Sequence, residues 1–274
     1  MCIRDSNRPE GTLTLSQPKY LRSIVERMGL SQANPVVLPM VPGTQLQTYN
    51  GPRVDFPYAA KIGELLYAAL GTRPDIAFAV QHLSQFSKNP GPEHVAAVKH
   101  LYRFIKGTPD KGITFHRSFG LEIRAYSDAD WAQNLVDRKS ISGHVFTQAG
   151  GAISWGAKKQ VSVALSSLEA EYVALSLATR HCIWLKQLAS DVGTPLSAPI
   201  PIFTDSASAL ALARDDQFHG RSKHIDVRYH HVRECVERGL VSLHHIAGES
   251  NPADILTKAL PRPRWTTHSE GIMQ

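Results

Sequence analysis

The sequence predicts an α/β fold in which a mixed five-stranded sheet is flanked by helices and preceded by a small, mainly helical module. In the second half, strand-like and helix-like runs follow one another in the order βββαβααβα, which is typical of a mixed sheet. In the first half, apolar residues recur mostly at helical spacing. The chain has 274 residues, 42% hydrophobic and 20% charged, which is enough for two modest domains with cores of their own.

The first domain is predicted over residues 7–116. A strand-like run at 11–15 is followed by four apolar-periodic segments with helix start and stop signals. These predicted helices cover residues 17–28 and 58–70, and two more begin at 72–75 and at 92–94. Residues 31–57 are rich in Pro, Gly, Gln and Asn, which favours an exposed connector. The first six residues have no apolar stretch, so we expect neither a secretory signal nor a part of the fold there.

The second domain is predicted over residues 121–265. A strand leads into a hairpin, a long helix begins at Ser166 or Ser167, and strands then alternate with helices. The predicted strands cover 121–126, 142–146, 152–155, 199–204 and 240–246, and the predicted helices cover 166–188, 206–214, 225–238 and 252–260.

Composition narrows the range of partners. The formal net charge is +6 and the pI is about 9.3, which favours a polyanionic partner. The chain has three cysteines and no CxxC, so we expect a reducing compartment rather than a disulfide framework, and their spacing fits no standard zinc site. No apolar run approaches the ~18 residues that a membrane span requires. We therefore expect an intracellular protein, cytoplasmic or nuclear, that is not secreted and has no membrane partner.

Four acidic motifs follow in order at predicted strand ends and helix starts. Their carboxylates are Asp128 (with Asp130 beside it), Glu169 or Glu171, Asp205 and Asp254. Each alone is an ordinary helix cap, but four that converge would repel one another unless a divalent cation neutralised them. Glu169 and Glu171 are about 200° apart around a helix, so only one can face the sheet. The pattern predicts metal-dependent phosphodiester chemistry with two Mg²⁺ ions, or Mn²⁺ as the alternative.

Six motifs in this half resemble the ribonuclease H domain of copia-type retrotransposon Pol polyproteins. They are Tyr-Ser-Asp-Ala-Asp-Trp-Ala (126–132), Asp-Arg-Lys-Ser-Ile-Ser-Gly (137–143), Glu-Ala-Glu-Tyr-Val-Ala-Leu (169–175), Thr-Asp-Ser (204–206), Lys-His-Ile-Asp-Val-Arg-Tyr-His (223–230) and Asn-Pro-Ala-Asp-Ile-Leu-Thr-Lys (251–258). The first half, through motifs such as Thr-Arg-Pro-Asp-Ile (72–76), is similar to the thumb and connecting region of the reverse transcriptase in the same polyprotein. The polymerase strand Tyr-x-Asp-Asp is missing, so this chain is not expected to polymerise DNA.

The resemblance implies an endonuclease that cuts the RNA strand of an RNA–DNA hybrid, with the rest of the Pol polyprotein as partner. The family's catalytic and metal-binding residues fall on Asp128, Glu171, Asp205 and Asp254, and the family pattern favours Glu171 over Glu169. The loop before Asp254 lacks the His of many ribonucleases H. Two alternatives remain open: a catalytically decayed module that only binds nucleic acid, and a transposase-like or integrase-like nuclease.

Basic residues near these motifs are candidates for nucleic-acid binding. Helical spacing places His224, Arg228 and His231 along one stripe that could follow a hybrid backbone. The full set of candidates is Arg138, Lys139, Ser206, Lys223, His224, Arg228 and His231. Solvated turns and ordinary histidine packing are the alternatives. Lys158 and Lys159 are expected to be surface charges, and the tryptophans at 131, 155 and 184 are expected in the core.

Overall fold

The computed structural model describes residues 3–132, 136–214 and 226–273, which form eight strands and eight α-helices. The strands are β1 (Ile3–Asn7), β2 (Thr12–Ser16), β3 (Ile113–His116), β4 (Arg124–Ala129), β5 (Ile141–Gln148), β6 (Gly151–Lys159), β7 (Ile200–Thr204) and β8 (Val241–His245). The helices are α1 (Pro18–Arg27), α2 (Tyr58–Gly71), α3 (Ala77–Ser84), α4 (Pro92–Gly107), α5 (Ser167–Asp191), α6 (Ala207–Arg214), α7 (Asp226–Glu237) and α8 (Arg262–Met273).

The chain divides into two compact units with a boundary between Gly120 and Leu121. The first unit comprises Met1–Gly120, Ala149–Ala152 and Lys258–Gln274, and the second comprises Leu121–Gln148 and Ile153–Thr257. Residues 149–152 and 258–265, which lie within the predicted second domain, therefore belong to the first unit. Packing explains why 258–265 belongs to this unit. Trp265 is buried, and the centroid of its ring lies 5.3 Å from that of Phe104 in an edge-on arrangement.

The first unit contains the four predicted helices and a small antiparallel sheet of order β1-β2-β3. The expectation that the first six residues lie outside the fold is wrong, because residues 3–6 pair with β2. The strand β3 and the helix α8 were not predicted either. A buried ion pair stabilises this unit: Arg73 Nε lies 2.8 Å from Asp75 Oδ1, and neither side chain is exposed. Removal of one partner of such a pair typically costs about 3–5 kcal/mol.

The second unit contains the predicted mixed sheet, in the order β6-β5-β4-β7-β8. The pair β4–β5 is antiparallel, whereas β4–β7 and β7–β8 are parallel. Helix α5 is capped by Ser166, whose side chain accepts a hydrogen bond from Glu169 N, and the helix buries an apolar stripe in the main core cluster. The predicted five-stranded sheet flanked by helices is confirmed.

The predicted α-helix at 252–260 is wrong. The segment Pro252–Leu256 is a 3-10 helix, in which Thr257 N donates to Asp254 O at 3.2 Å, and the next α-helix begins only at Arg262. Pro261 explains the break, because a proline disfavours helical backbone in the residue before it. Among the helices that the structure describes, none has both the length and the apolar content to cross a bilayer.

A histidine pair lies between α5 and the sheet of the second unit. The rings of His144 and His181 are 5.1 Å apart, and His181 Nε2 lies 2.6 Å from Ser154 Oγ. Burial, and then the neighbouring His181, lower the pKa of His144 to about 4. Burial also lowers the pKa of His181. Both imidazoles are therefore held in the neutral form near pH 7.

Candidate metal and nucleic-acid site

Three of the four predicted catalytic carboxylates lie together at one edge of the sheet. Asp128 is near the end of β4, Asp205 directly follows β7, and Asp254 lies in the 3-10 helix after β8. One carboxylate oxygen from each lies within 4.8 Å of the others. Asp128 and Asp254 are almost completely buried. Because β4 and β7 are parallel neighbours, their carboxyl ends bring Asp128 and Asp205 to the same point.

Asn251 and Thr257 connect the 3-10 helix Pro252–Leu256 to β4 through hydrogen bonds. Asn251 is buried; its side-chain amide donates to Ser127 O at 2.9 Å and accepts from Ala253 N at 3.2 Å. Thr257 Oγ1 donates to Asp128 Oδ2. Sequence reasoning missed both residues, although they flank Asp254 within the motif at 251–258. They are positioning residues, because they fix Asp128 and Asp254 relative to each other.

Two glycines leave room for the site. Gly143 is opposite Asp128 in the β4–β5 register, and a Cβ there would lie 2.7 Å from Thr257 Cγ2. A Cβ on Gly248 would lie 2.9 Å from Asp205 Oδ2. At Gly143, Leu256 Cβ at 3.0 Å and the backbone oxygen of Ala253 at 3.1 Å also crowd the added Cβ, so this position favours glycine for steric reasons. At Gly248 the added Cβ would displace the Asp205 carboxylate.

Helix α5 carries the fourth candidate carboxylate. The side chain of Glu169 accepts from Leu165 N at 2.7 Å, and its backbone N–H donates to Ser166 Oγ, so this residue is part of the helix cap. Glu171 lies further along the helix, and the three-carboxylate group does not include it. The choice of Glu171 as the fourth catalytic residue stays a prediction.

Asp130 supports the turn after β4 instead of joining the carboxylate group. Its Oδ1 accepts from Ile141 N, and its backbone N donates to Ile141 O at 3.1 Å. Both hydrogen bonds anchor the end of β4 to the start of β5. Of the two aspartates in this motif, only Asp128 is therefore available to the group.

Basic side chains surround a cavity of about 470 Å³ in the second unit. It is lined by Lys158, Lys159, Arg180, Arg228 and His231, together with Gln160, Val161, Val173, Ser176 and Leu177. The structure thus places two predicted nucleic-acid contacts beside two lysines that we had expected to be surface charges. Lys159 is also paired with Asp137 at 2.7 Å. The cluster is suited to bind an anionic group such as a phosphate.

The other predicted contacts have separate environments. Arg138 is exposed, and Lys139 N donates to Asp137 Oδ1 at 3.2 Å. Ser206 Oγ accepts from Ala209 N at 3.2 Å at the start of α6, which is the bond of a helix cap. Lys223 and His224 lie outside the described residues.

The tryptophan expectation is wrong for two of three residues. Trp131 and Trp184 are each 52% exposed, while Trp155 is partly buried. Trp131 closely follows the carboxylate end of β4, and Trp184 lies far along α5, where it contacts the ring of His181.

The strand order and the carboxylates at the adjoining ends of β4 and β7 define a ribonuclease H-like α/β unit. No family model matches the chain. A crystal structure of LC11-RNase H1 in complex with RNA/DNA hybrid superposes with a TM-score of 0.37 at 17% identity, over 50% of this chain and 94% of that one.

Several curated relatives cover nearly the whole chain, among them two polyproteins of plant transposons. The retrovirus-related Pol polyprotein from transposon TNT 1-94 of Nicotiana tabacum is 40% identical over 268 residues, 94% of this chain and 20% of that protein. The corresponding polyprotein from transposon RE1 of Arabidopsis thaliana is 37% identical over 270 residues, 98% of this chain and 18% of that protein. The chain belongs to the retrovirus-related Pol polyproteins of transposons, and it spans about a fifth of the length of these relatives.

Proposed function

We propose that the second unit is an RNA–DNA hybrid ribonuclease, an endonuclease that removes RNA during reverse transcription by a copia-type Pol polyprotein. The observation that carries this proposal is the approach of Asp128, Asp205 and Asp254 to within 4.8 Å. Three carboxylates at this distance repel one another strongly in the absence of a cation. That three separate elements bring these carboxylates together supports a metal site at this edge of the sheet.

The residues present fit a divalent metal ion. All three donors are carboxylate oxygens, which Mg²⁺ and Mn²⁺ prefer over softer ligands. When bound, a pair of such ions activates a water molecule and stabilises the leaving oxygen of a phosphodiester. Asp128, Asp205 and Asp254 would hold the cations, and Glu171 of α5 would supply the fourth carboxylate. Thr257 keeps Asp128 in place through its hydroxyl hydrogen bond.

The remaining predicted residues hold the nucleic acid. Arg228 and His231, with Lys158 and Arg180 in the same cavity, bind backbone phosphates through charge and so do not depend on sequence. Arg138, Lys139, Ser206, Lys223 and His224 complete the proposed set of contacts. The binding partner is the hybrid duplex, and the rest of the Pol polyprotein is the protein partner.

Cleavage of a hybrid with a labelled RNA strand tests the proposal. We expect Mg²⁺-dependent cuts within the RNA strand of the hybrid, and none in single-stranded RNA or in duplex DNA. Asp205→Asn should abolish the cuts while the circular dichroism spectrum stays unchanged. Binding of the hybrid without cleavage by the wild-type chain would instead indicate a decayed binding module. A preference for duplex DNA would indicate an integrase-like nuclease.

A further inference from the structure

A strip of exposed apolar side chains lies beside the proposed catalytic carboxylates. It consists of Trp131, Val161, Val163 and Leu165, which are 52%, 80%, 44% and 77% exposed, respectively. We name these four residues the apolar wall. Single exposed apolar residues are common on proteins, but a group next to a functional site suggests a contact surface.

The wall is attached to the same elements that carry the catalytic residues. Ala164, within the segment 161–165, packs in a small buried cluster with Ala129, Ala170 and Ala174. Ala129 directly follows Asp128 in β4, and Ala170 directly precedes Glu171 in α5. The exposed side chains on either side of Ala164 therefore border the carboxylate edge of the sheet.

The exposed indole of Trp131 is held in a fixed position. Its Nε1 donates to Ala164 O at 3.3 Å. The backbone before it is bonded through Asp130 to Ile141, and the backbone after it through Ala132 N to Ser140 Oγ at 3.1 Å. Ala132 has a φ of 51°, a left-handed conformation that is unfavourable for alanine. The residue that follows the exposed indole therefore has a strained backbone conformation.

Gln160 fixes the other part of the wall. It is buried, and its side-chain amide donates to Ser142 Oγ and to Ala170 O, each at 2.9 Å, while its backbone N donates to Ser140 O at 2.8 Å. These bonds tie the segment to β5 and α5. A surface that is ordered before binding loses little conformational entropy when a ligand covers it.

The wall is continuous with the basic cavity, because Val161 lines that cavity together with Lys158 and Arg228. A nucleic-acid duplex presents phosphates beside the apolar faces of its sugars and the edges of its bases, so it matches both parts of this surface. A protein partner would be a poorer match, since lysine is depleted at the centre of protein interfaces.

We propose that the apolar wall packs against the sugar faces and base edges of the strand next to the reacting phosphate, and so positions that phosphate over the carboxylates. This proposal rests on the proposed function. Trp131 is the main contact residue of the wall, because its ring offers the largest contact area and its Nε1 is hydrogen-bonded to Ala164 O. Polar replacement of the wall should weaken hybrid binding without any change in the number of charges that the protein contributes.

Measurements of hybrid binding by the whole chain at several salt concentrations separate the contribution of the apolar wall from that of the basic side chains. In the inactive Asp205→Asn background, we expect Trp131→Ala and Val161→Thr to raise the Kd for a labelled hybrid, the former by about tenfold, with an unchanged slope of log K against log salt. Lys158→Ala should reduce that slope by about one unit of charge. Val192→Thr is the matched control, because this exposed valine lies about 30 Å from Glu171 along α5.

Several results would overturn the proposal. One is an unchanged Kd for both wall variants. Another is a higher Kd that is accompanied by a reduced salt slope, which is the result expected for the loss of a basic side chain. Unchanged hybrid affinity with reduced self-association of the Trp131→Ala variant would assign the wall to a protein contact instead. If the wild-type chain cleaves the hybrid in the same experiments, only the wall proposal fails. If the wild-type chain neither binds nor cuts the hybrid, the proposed function itself fails.

Discussion

Replacement of Asp128 by Asn should stabilise the metal-free protein and remove its response to Mg²⁺. The substitution keeps the shape of the side chain and an oxygen that accepts the hydrogen bond of Thr257. It removes one negative charge from a group of three, and the amide that replaces it can donate towards the other two carboxylates. Without metal the charge repulsion is therefore reduced, whereas with metal one ligand charge is lost.

The distances set the size of the effect. Two unit charges 4.8 Å apart repel each other by about 3.5 kcal/mol at an effective dielectric constant of about 20. Asp128 takes part in two such pairs. Asp205 is only partly buried, so solvent screens one of them, and the lost hydrogen-bonding capacity of a carboxylate offsets part of the rest. We expect a net gain of about 1–3 kcal/mol in the free energy of unfolding without metal.

Thermal unfolding in EDTA and in Mg²⁺ measures both effects. Three of the four tryptophans lie in the second unit, so their fluorescence mainly reports its unfolding. In EDTA the Asp128→Asn variant should melt about 3–10 °C higher than the wild type, and Mg²⁺ should raise Tm in the wild type but not in Asp128→Asn. Asp130→Asn is the matched control, since Asp130 is also buried, directly after β4, but lies outside the group. Destabilisation in EDTA, or a Mg²⁺ shift that survives Asp128→Asn, would refute the reasoning.

Two further substitutions test the packing around the site and the core. Gly143→Ala places a Cβ 2.7 Å from Thr257 Cγ2, so we expect a loss of about 1–3 kcal/mol in stability and at least a roughly tenfold slower cleavage of the hybrid. Gly63→Ala is the control, because a Cβ added at Gly63 would have no neighbouring atom within 4 Å. Equal effects of the two substitutions would contradict the steric explanation. Burial and His181 lower the pKa of His144 to about 4 in the folded state, so its contribution to stability is complete above its unfolded pKa of about 6.5 and is lost as the pH falls towards 4. Urea unfolding should show that the wild type loses up to about 2 kcal/mol more than His144→Phe between pH 7 and pH 5, whereas parallel losses would show that His144 is not responsible.

Local sequence patterns predict most of the fold but miss pairings that join distant segments. The succession of strands and helices in the second unit follows from runs that can be read in windows of about ten to twenty residues, whereas the order of the strands within the sheet comes from the structure. The strand β3 is only four residues long and pairs with β2 across about 100 residues, where Thr14 Oγ1 lies 3.0 Å from Thr114 Oγ1. No local periodicity indicates such a contact.

The candidate site was also predicted only in part. Asp128, Asp205 and Asp254 were predicted because each stands in a recognisable motif at the end or the start of an element. Asn251 and Thr257 were missed because their roles depend on contacts with Ser127 and Asp128, more than 120 residues away.

The exposure of Trp131 was also missed, for a different reason. A tryptophan in an apolar context is usually buried, and sequence alone does not show that hydrogen bonds around Asp130 and Ala132 turn this one outward.

Anomalous scattering from a crystal of the chain grown with Mn²⁺ would test the proposed metal site most directly. We predict an anomalous peak in contact with an oxygen of each of Asp128, Asp205 and Asp254, and its disappearance in Asp128→Asn. A crystal in which Mn²⁺ occupies other sites but not this one, with the three carboxylates still together, would contradict the assignment of the group as a metal centre.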